Sequence, residues 1–250
     1  MALTSLPDGY RALVFGATGG IGRALCAAIA ADPRLGSLHA ASRSGEAVAG
    51  AAALSFDLDR PETIEQAVKA ASGETGLHLV ICATGALHGE DGLEPEKSWR
   101  QLDAERLLAA FRVNTVLPAL VAKAALPRLA TGDKTHPEKA VFAALSARVG
   151  SISDNRLGGW HGYRASKAAL NQILRTLSIE LARKAPHAVC LGLHPGTVDT
   201  RLSEPFQRGV PEGKLFTPHF AAERLLSVID SCGPDVSGRV FDWAGKEIAP

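Results

Sequence analysis

The sequence predicts a doubly wound α/β fold, in which helices cover both faces of a parallel β-sheet. Short apolar runs of strand length alternate with helix-periodic segments along all 250 residues, and a glycine-rich turn follows the first run. No linker, repeat or low-complexity tract interrupts this alternation. Such a pattern produces right-handed βαβ units that share one sheet. We therefore expect residues 1–250 to form a single domain.

In the first half of the chain, Ala12–Phe15 is strand-like, and apolar residues recur at helical spacing in the following "IGRALCAAIAAD". Two weaker strands, a helix and a strong buried strand follow, in this order: Leu38–Ala41, Leu54–Phe56, about Pro61–Ala71, and "LHLVICAT".

The second half continues the alternation. A helix is expected over Ala104–Leu129, with a break near Pro118, because proline lacks the N–H that a helix interior needs. The remaining elements are, in order, the strand "AVFAALS", a helix from "YRASK" to about Lys184, the strand "AVCLGLHPG", an irregular segment 201–217, the helix "PHFAAERLLSVIDS" and a last strand in "GRVFDWAG".

Charge and cysteine content limit the class of protein. The 27 Lys and Arg residues nearly balance 26 Asp and Glu residues, so no global field gathers nucleic acid or an acidic membrane. The four cysteines lie far apart without CxxC spacing, which favours buried thiols in a reducing compartment. With no secretory signal at the N-terminus and no metal-ligand cluster, we expect a cytoplasmic protein without a metal.

The glycine turn is the first candidate binding site. Gly16, Gly20 and Gly22 lie between the first strand and the first helix. Glycines there let the backbone approach a pyrophosphate, and the free N–H groups at the helix start donate to it. Such a cluster can also be only a tight turn. Its place at the first strand-to-helix junction of a doubly wound pattern favours dinucleotide binding.

The residues after the second strand indicate which dinucleotide binds. An acidic residue there would hold the ribose hydroxyls, whereas a basic one accepts a 2′-phosphate. This chain has Ser42 and Arg43 at that place, and a guanidinium pairs with phosphate through two hydrogen bonds. The pattern favours NADP(H). The alternative is that Arg43 is a solvated loop charge.

Tyr163 and Lys167 are the candidate reacting pair. Four helical residues rise about 6 Å and bring both side chains to one face. A tyrosine titrates near pH 10, and a neighbouring ammonium is expected to lower that pKa. Tyr163 could then give a proton to a carbonyl oxygen or take one from an alcohol. Alternatively, the two residues merely share the side of an exposed turn.

These motifs together resemble the short-chain dehydrogenase/reductase family over essentially the whole chain. The resemblance rests on Gly16-x3-Gly20-x-Gly22, "YRASK" and "HPGTVDT". It is strongest with the C-factor-like and sniffer-type carbonyl reductase branch, through "GSISDN", "GGWHGYRASKAALN" and "GRVFDWAGKEI". It implies a Rossmann-type fold, a small carbonyl or alcohol substrate, and a homodimer or homotetramer built on the two long helices around 104–129 and 163–184.

The resemblance also assigns residues to the cofactor. Asp57 would bond the adenine amino group and Lys167 the ribose hydroxyls. The full implied cofactor-binding set is Gly16, Thr18, Gly19, Gly20, Ile21, Gly22, Arg43, Asp57, Leu58, Ala83, Thr84, Gly85, Tyr163, Lys167, Pro195, Gly196, Val198 and Thr200. Three positions depart from the family: "CATG" replaces Asn-Asn-Ala-Gly and Phe15 replaces a threonine, which affects details of cofactor support, and Gly19 replaces a basic residue, so the NADP signal depends mainly on Arg43.

The implied catalytic set is Asn114, Ser146, Tyr163 and Lys167. Asn114 would position a water for proton relay to the lysine. The family carries a substrate-polarising hydroxyl three residues before the glycine that follows the fifth strand, which is Ala147 here. A bulge would bring Ser146 into that place, and Ser151 is the competing choice.

Two functions compete at this point. One is an NADPH-dependent reductase of a small aldehyde or ketone. The other is an NADP-binding signalling or regulatory protein, like C-factor, with little turnover, which the missing serine favours. Substrate choice would lie with the loop before Tyr163 and with residues 201–217, a candidate lid. Apolar side chains there suggest a partly apolar pocket, and the alternative is that each serves only in packing: Leu157, Trp160, Phe206 and Phe216.

Overall fold

The structure, a computed structural model, describes residues 2–89, 93–133 and 135–250. Seven parallel strands form one sheet in the order β3-β2-β1-β4-β5-β6-β9, and β7 pairs with β8 separately. The strands are β1 (Tyr10–Phe15), β2 (Leu35–Ser42), β3 (Ala52–Ser55), β4 (Leu79–Cys82), β5 (Ala140–Leu145), β6 (Ala188–His194), β7 (Thr197–Val198), β8 (Leu215–Phe216) and β9 (Val240–Asp242). The helices are α1 (Gly20–Ala30), α2 (Glu62–Ser72), α3 (Ala104–Phe111), α4 (Leu117–Ala125), α5 (His161–Lys184) and α6 (Pro218–Ser231). The predicted fold class is confirmed.

Helices cover both faces of the sheet because its central strands are apolar on both sides. In β1, Val14 faces the layer that holds Leu25 of α1 and Leu225 of α6. Its neighbour Leu13 faces the opposite layer, which holds Val68 of α2. All five leucine and valine side chains named here are inaccessible to solvent. The two layers therefore bury continuous apolar strands, which is what the sequence pattern predicts.

The helical stretch 104–128 is interrupted by a π-helical turn at Arg112–Val116. Pro118 has no N–H to donate to the carbonyl of Asn114, and the Leu117 N–H instead bonds the carbonyl of Arg112, five residues back. The expected break is thus a widened turn ahead of the proline. By length and composition this stretch could cross a bilayer, but core helices of soluble proteins meet the same test, and its two halves pack against α2 and α5.

The strand order places one crevice in the sheet. From β1 the chain proceeds outward to β2 and β3, and from β4 it proceeds the other way to β5 and β6. The loops after β1 and β4 therefore diverge at the carboxyl edge, where ligands of such sheets bind. Most of the predicted site residues lie on loops at this edge or at the starts of α1 and α5, and Asn114 lies in the π-helical turn.

Candidate active site

The glycine turn is built so that the backbone of two loops can approach closely. Gly16 has φ +77°, and a Cβ on it would lie 2.9 Å from the carbonyl carbon of Ala83 after β4. A Cβ on Gly22 would overlap the Gly16 carbonyl oxygen. Larger residues at either position would therefore push the turn open. Gly19, Gly20 and the start of α1 stay accessible to a ligand as a result.

The first turn of α1 presents its amides to the crevice. Gly19 is the residue before the helix, and no side chain caps it. Thr18 and Ile21, on either side of the Gly19–Gly20 pair, are half-buried. The Thr200 methyl group, from the loop after β6, would lie 2.6 Å from a Cβ on Gly20. The first and sixth strand loops thus meet at the helix N-terminus, a favourable place for phosphate.

Arg43 lies directly after β2, exposed, between two adjoining clefts. One cleft of about 420 Å³ is lined by Thr18, Arg43 and Ser44. The other, of about 200 Å³, is lined by Arg43, Ser55, Phe56, Asp57, Arg60 and Thr63. Within the described residues, the Arg43 guanidinium has no hydrogen bond or ion pair. It is therefore a cation available to a ligand that runs from the glycine turn towards Asp57.

The Asp57 carboxylate already has partners in the protein. It accepts hydrogen bonds from Arg60 Nε at 3.0 Å and from the Asp59 amide at 2.9 Å. Leu58 packs against the core layer that contains α2. Asp57 thus lines the small cleft, and both of its carboxylate oxygens already accept hydrogen bonds from the protein. Its contact with adenine stays a prediction.

The loop after β4 joins the turn to the reacting pair. The Ala83 amide donates to the Phe15 carbonyl at 2.8 Å, and the Thr84 hydroxyl lies 3.2 Å from Cys82 Sγ. A Cβ on Gly85 would lie 3.7 Å from Lys167 Nζ. The departures at Phe15 and Cys82 leave an apolar sheet centre, where the Phe15 ring packs edge-on against Phe56 with centroids 5.2 Å apart.

Tyr163 and Lys167 lie one turn apart in α5, with Lys167 Nζ 5.7 Å from the centre of the phenol ring. The buried Lys167 Nζ donates to the Leu145 carbonyl at the end of β5, at 2.8 Å. Burial lowers the pKa of Lys167 to about 8. Burial also raises the pKa of Tyr163 to about 12. The protein by itself therefore does not produce the lower tyrosine pKa that was expected from the neighbouring ammonium.

Asn114 connects α5 to the β4 loop from the π-helical turn. Its amide nitrogen donates to the Ala86 carbonyl at 2.8 Å and to the Ser166 hydroxyl at 3.2 Å, and its oxygen accepts from the Ala86 amide at 3.0 Å. The Ser166 hydroxyl in turn donates to the Tyr163 carbonyl at 2.9 Å. Asn114 is fully buried, so this network fixes the loop against the helix that carries the phenol.

The serines near β5 have partners of their own. The Ser146 hydroxyl donates to Asn171 Oδ1 at 2.6 Å, and Asn171 lies two turns beyond Tyr163, about 12 Å along α5. Ala147 is extended (φ −150°, ψ 148°), so its methyl group points to the opposite side. The Ser151 hydroxyl accepts from the Asp154 amide at 3.1 Å and lies 3.4 Å from the Pro250 carbonyl.

The loop after β6 closes the far side of the crevice. Gly196 has φ +79°, and a Cβ on it would lie 2.6 Å from the Phe216 ring. Val198 pairs with Phe216 in the small β7–β8 sheet, and the Thr200 hydroxyl donates to the Val198 carbonyl at 3.3 Å. Pro195 precedes this turn and is half-buried. All these residues lie at the edge that the glycine turn occupies.

The sequence reasoning missed two residues, Glu96 beside the start of α5 and Asn171 in its middle. The buried Glu96 carboxylate accepts from the Gly162 amide at 3.1 Å, where a negative charge is favourable at a helix N-terminus. Its backbone carbonyl accepts from the Trp160 amide at 2.5 Å. Glu96 lies in a polar stretch, "EPEKS", without periodicity, so no sequence signal singles it out.

The chain resembles known proteins in sequence and in fold. The family model for short chain dehydrogenases matches residues 10–210. C-signal from Myxococcus xanthus is 35% identical over 147 residues, which cover 59% of this chain and 80% of that protein.

Solved structures share the whole fold. The carbonyl reductase Sniffer of D. melanogaster superposes with a TM-score of 0.82 at 23% identity, covering 96% of this chain and 99% of that one. An NADPH-bound carbonyl reductase from chicken fatty liver gives a TM-score of 0.83 at 22% identity, covering 98% and 96%. Because the family model spans most of the chain and the architecture is shared from end to end, this chain belongs to the short chain dehydrogenase family.

Proposed function

We propose that the protein is an NADPH-dependent oxidoreductase that transfers a hydride between the nicotinamide and a small carbonyl or alcohol substrate. One observation carries this proposal. Tyr163, Lys167 and Asn114 lie around the β4 loop, which packs on the glycine turn, so a proton donor lies close to the candidate phosphate-binding turn. Family membership and the fold shared with an NADPH-bound carbonyl reductase support it.

The residues fit a phosphorylated dinucleotide. The turn at Gly16–Gly22 leaves room for a pyrophosphate against the α1 amides, and Arg43 is free to pair with a 2′-phosphate. Asp57 and Leu58 would border the adenine. Ala83, Thr84, Gly85, Pro195, Gly196, Val198 and Thr200 would line the route to the nicotinamide. When bound, the nicotinamide supplies or accepts the hydride.

The protein's own residues handle the proton. The Tyr163 hydroxyl would donate to the carbonyl oxygen during reduction and accept from the alcohol during oxidation. With a pKa near 12 the phenol is protonated at neutral pH, which is the form that reduction requires. Lys167, mostly charged at neutral pH, would return a proton to the Tyr163 phenolate, and Asn114 would hold the β4 loop against α5.

A direct assay tests the proposal. NADPH oxidation should be observed with at least some members of a panel of small aldehydes and ketones, and binding of NADP should be measurable by calorimetry. Calorimetric binding without any turnover over a broad panel would overturn the enzyme assignment while leaving the cofactor site intact. If the protein binds neither NADP nor NAD, both the enzyme assignment and the cofactor site are overturned.

Ser146 is the proposed substrate-polarising hydroxyl, and Ser151 is the alternative. To serve, the Ser146 hydroxyl must exchange its Asn171 contact for the substrate oxygen. We expect Ser146→Ala to lower kcat/KM by about 100-fold, the typical loss on removing one oxyanion donor. Ser151→Ala is the matched comparison and should change kcat/KM little. The reverse outcome would assign the role to Ser151.

A signalling or regulatory role with little turnover is the second candidate. Ala147 at the family's serine position and the similarity to C-signal favour it. If the missing hydroxyl limits turnover, Ala147→Ser should raise kcat by roughly 10-fold or more, since one such donor contributes that much or more. An unchanged, near-zero rate in this variant, together with intact NADP binding, would favour the signalling role.

We also propose that the protein is a homodimer or homotetramer built on its long helices. Leu108 of α3 and Ile179 of α5 are apolar yet 63% and 46% exposed. A second copy covering them would remove this surface from water. Sedimentation should show at least a dimer, and Leu108→Glu should shift it towards monomer. A monomeric wild-type protein at micromolar concentration would contradict the proposal.

A further inference from the structure

Three rings from three different loops form a row that ends at the phenol of Tyr163. Trp160, just before α5, lies 6.3 Å from the Tyr163 ring, centre to centre. Phe206, from the segment after β7, lies 5.0 Å from Trp160, with the ring planes tilted by 59°. His88, from the loop after β4, lies 6.0 Å from Phe206. The space next to the candidate proton donor is therefore walled by aromatic faces.

Trp160 is the rigid member of this row. Its φ of +52° makes it the one non-glycine residue with positive φ among the described residues, a conformation that a bulky side chain adopts only when its surroundings impose it. Its amide donates to the Glu96 carbonyl at 2.5 Å, and its carbonyl accepts from the Arg164 amide at 2.8 Å. Hydrogen bonds thus fix both of its backbone groups, and they hold the residue with its indole next to Tyr163.

Phe206 is on the more adaptable side. It lies in the short 3₁₀ segment Glu204–Gly209, in which four of six residues are exposed. Surface segments with few buried apolar contacts move more readily than a helix start fixed by a buried carboxylate. We therefore expect Trp160 to stay fixed and Phe206 to move when a ligand binds between the two rings.

Trp160 and Phe206 contact each other, so a planar guest must separate the two rings before it can lie between them. A flat ring between them needs about 3.5–4.0 Å to each face, so the Trp160–Phe206 separation must grow by about 2–3 Å. An aromatic guest would gain stacking or edge-to-face contacts with both rings, which a saturated ring of the same size cannot make. The Trp160 and Phe206 side chains carry no charge.

We propose that the site takes an aromatic aldehyde or ketone, whose ring inserts between Trp160 and Phe206 while its carbonyl oxygen meets the Tyr163 hydroxyl. This inference rests on the proposed function for the identity of the reacting group. Trp160 and Phe206 are then the residues that determine specificity. His88 closes the far end of the slot, which is the space that opens between the Trp160 and Phe206 rings.

The test compares benzaldehyde with cyclohexanecarbaldehyde, which differ in aromaticity at nearly equal size. Binding is measured by quenching of tryptophan fluorescence and by calorimetry, and KM and kcat are measured where turnover occurs. We expect the aromatic aldehyde to bind about 10-fold more tightly, because each aromatic pair adds about 0.5–1.5 kcal/mol beyond buried area. This preference should fall to about 2-fold or less in Trp160→Leu and in Phe206→Leu.

Trp99→Leu is the matched control, because Trp99 is 65% exposed and lies outside the row. It should keep the full preference. Equal affinity for the two aldehydes in the wild-type protein, or a preference that survives Phe206→Leu, would overturn the inference. If Trp160→Leu fails to fold because of its positive φ, Phe206→Leu decides alone. Turnover without a preference for the aromatic aldehyde would support the proposed function and contradict the aromatic slot. Preferential binding of the aromatic aldehyde without turnover would support the slot and contradict the proposed function.

Discussion

Replacing Tyr163 with phenylalanine should lower kcat for carbonyl reduction by about 100- to 10,000-fold, the contribution that a positioned proton donor typically makes. The change removes only the hydroxyl, for which the structure shows no hydrogen bond within the described residues. The ring that packs near Trp160 and Lys167 remains. The thermal unfolding midpoint should therefore change little, and NADP should still bind. Steady-state kinetics, NADP calorimetry and a thermal melt make the measurement.

The chain supplies its own control, because it contains only two tyrosines. Tyr10 is buried at the other end of β1, and its hydroxyl donates to Asp32 at 3.1 Å. Tyr10→Phe should thus lower stability, by about 1 kcal/mol for the lost hydrogen bond, and keep its activity. Full activity in Tyr163→Phe would contradict the proton-donor role. Equal losses in both variants would indicate a general effect of removing a phenol.

Replacing Arg43 with alanine should shift the cofactor preference from NADPH towards NADH. A hydrogen bond to a charged group contributes about 1.5–3 kcal/mol, so KM for NADPH should rise about 10- to 150-fold. KM for NADH, which has no 2′-phosphate, should change little. Because Arg43 is exposed and its guanidinium has no partner in the described part of the chain, the stability of the variant should stay within about 0.5 kcal/mol of the wild type.

Arg183→Ala is the matched control, since Arg183 is equally exposed but lies near the end of α5, away from both clefts. It should leave both KM values unchanged. The NADPH affinity of the wild-type protein should also fall with added salt more steeply than that of Arg43→Ala, because an exposed ion pair is screened. An unchanged ratio of NADPH to NADH efficiency in Arg43→Ala would show that Arg43 is only a solvated loop charge.

The elements of the fold could be predicted because burial leaves a local record in the sequence. The apolar runs of β1, β4, β5 and β6 and the periodic faces of α1, α2 and α6 appear in the structure close to their expected positions. The glycine turn and the Tyr163–Lys167 spacing are local as well, since each lies within about seven residues of chain. Pro118 even gave a local signal for a break in this helix, but nothing in the sequence indicated that the break would be a π-helical turn.

By itself, then, the sequence determined the doubly wound fold, the position of the crevice, and the candidate cofactor and proton-transfer residues. The tertiary structure alone decided which groups these residues meet: Glu96 reaches Gly162 across 66 positions, Ser146 is bonded to Asn171, and Lys167 to a strand carbonyl. It also decided the pKa of Tyr163, which burial raises and the neighbouring lysine does not lower. Periodicity and spacing describe neighbours along one element, whereas these contacts and this desolvation depend on how separate loops pack around the same point.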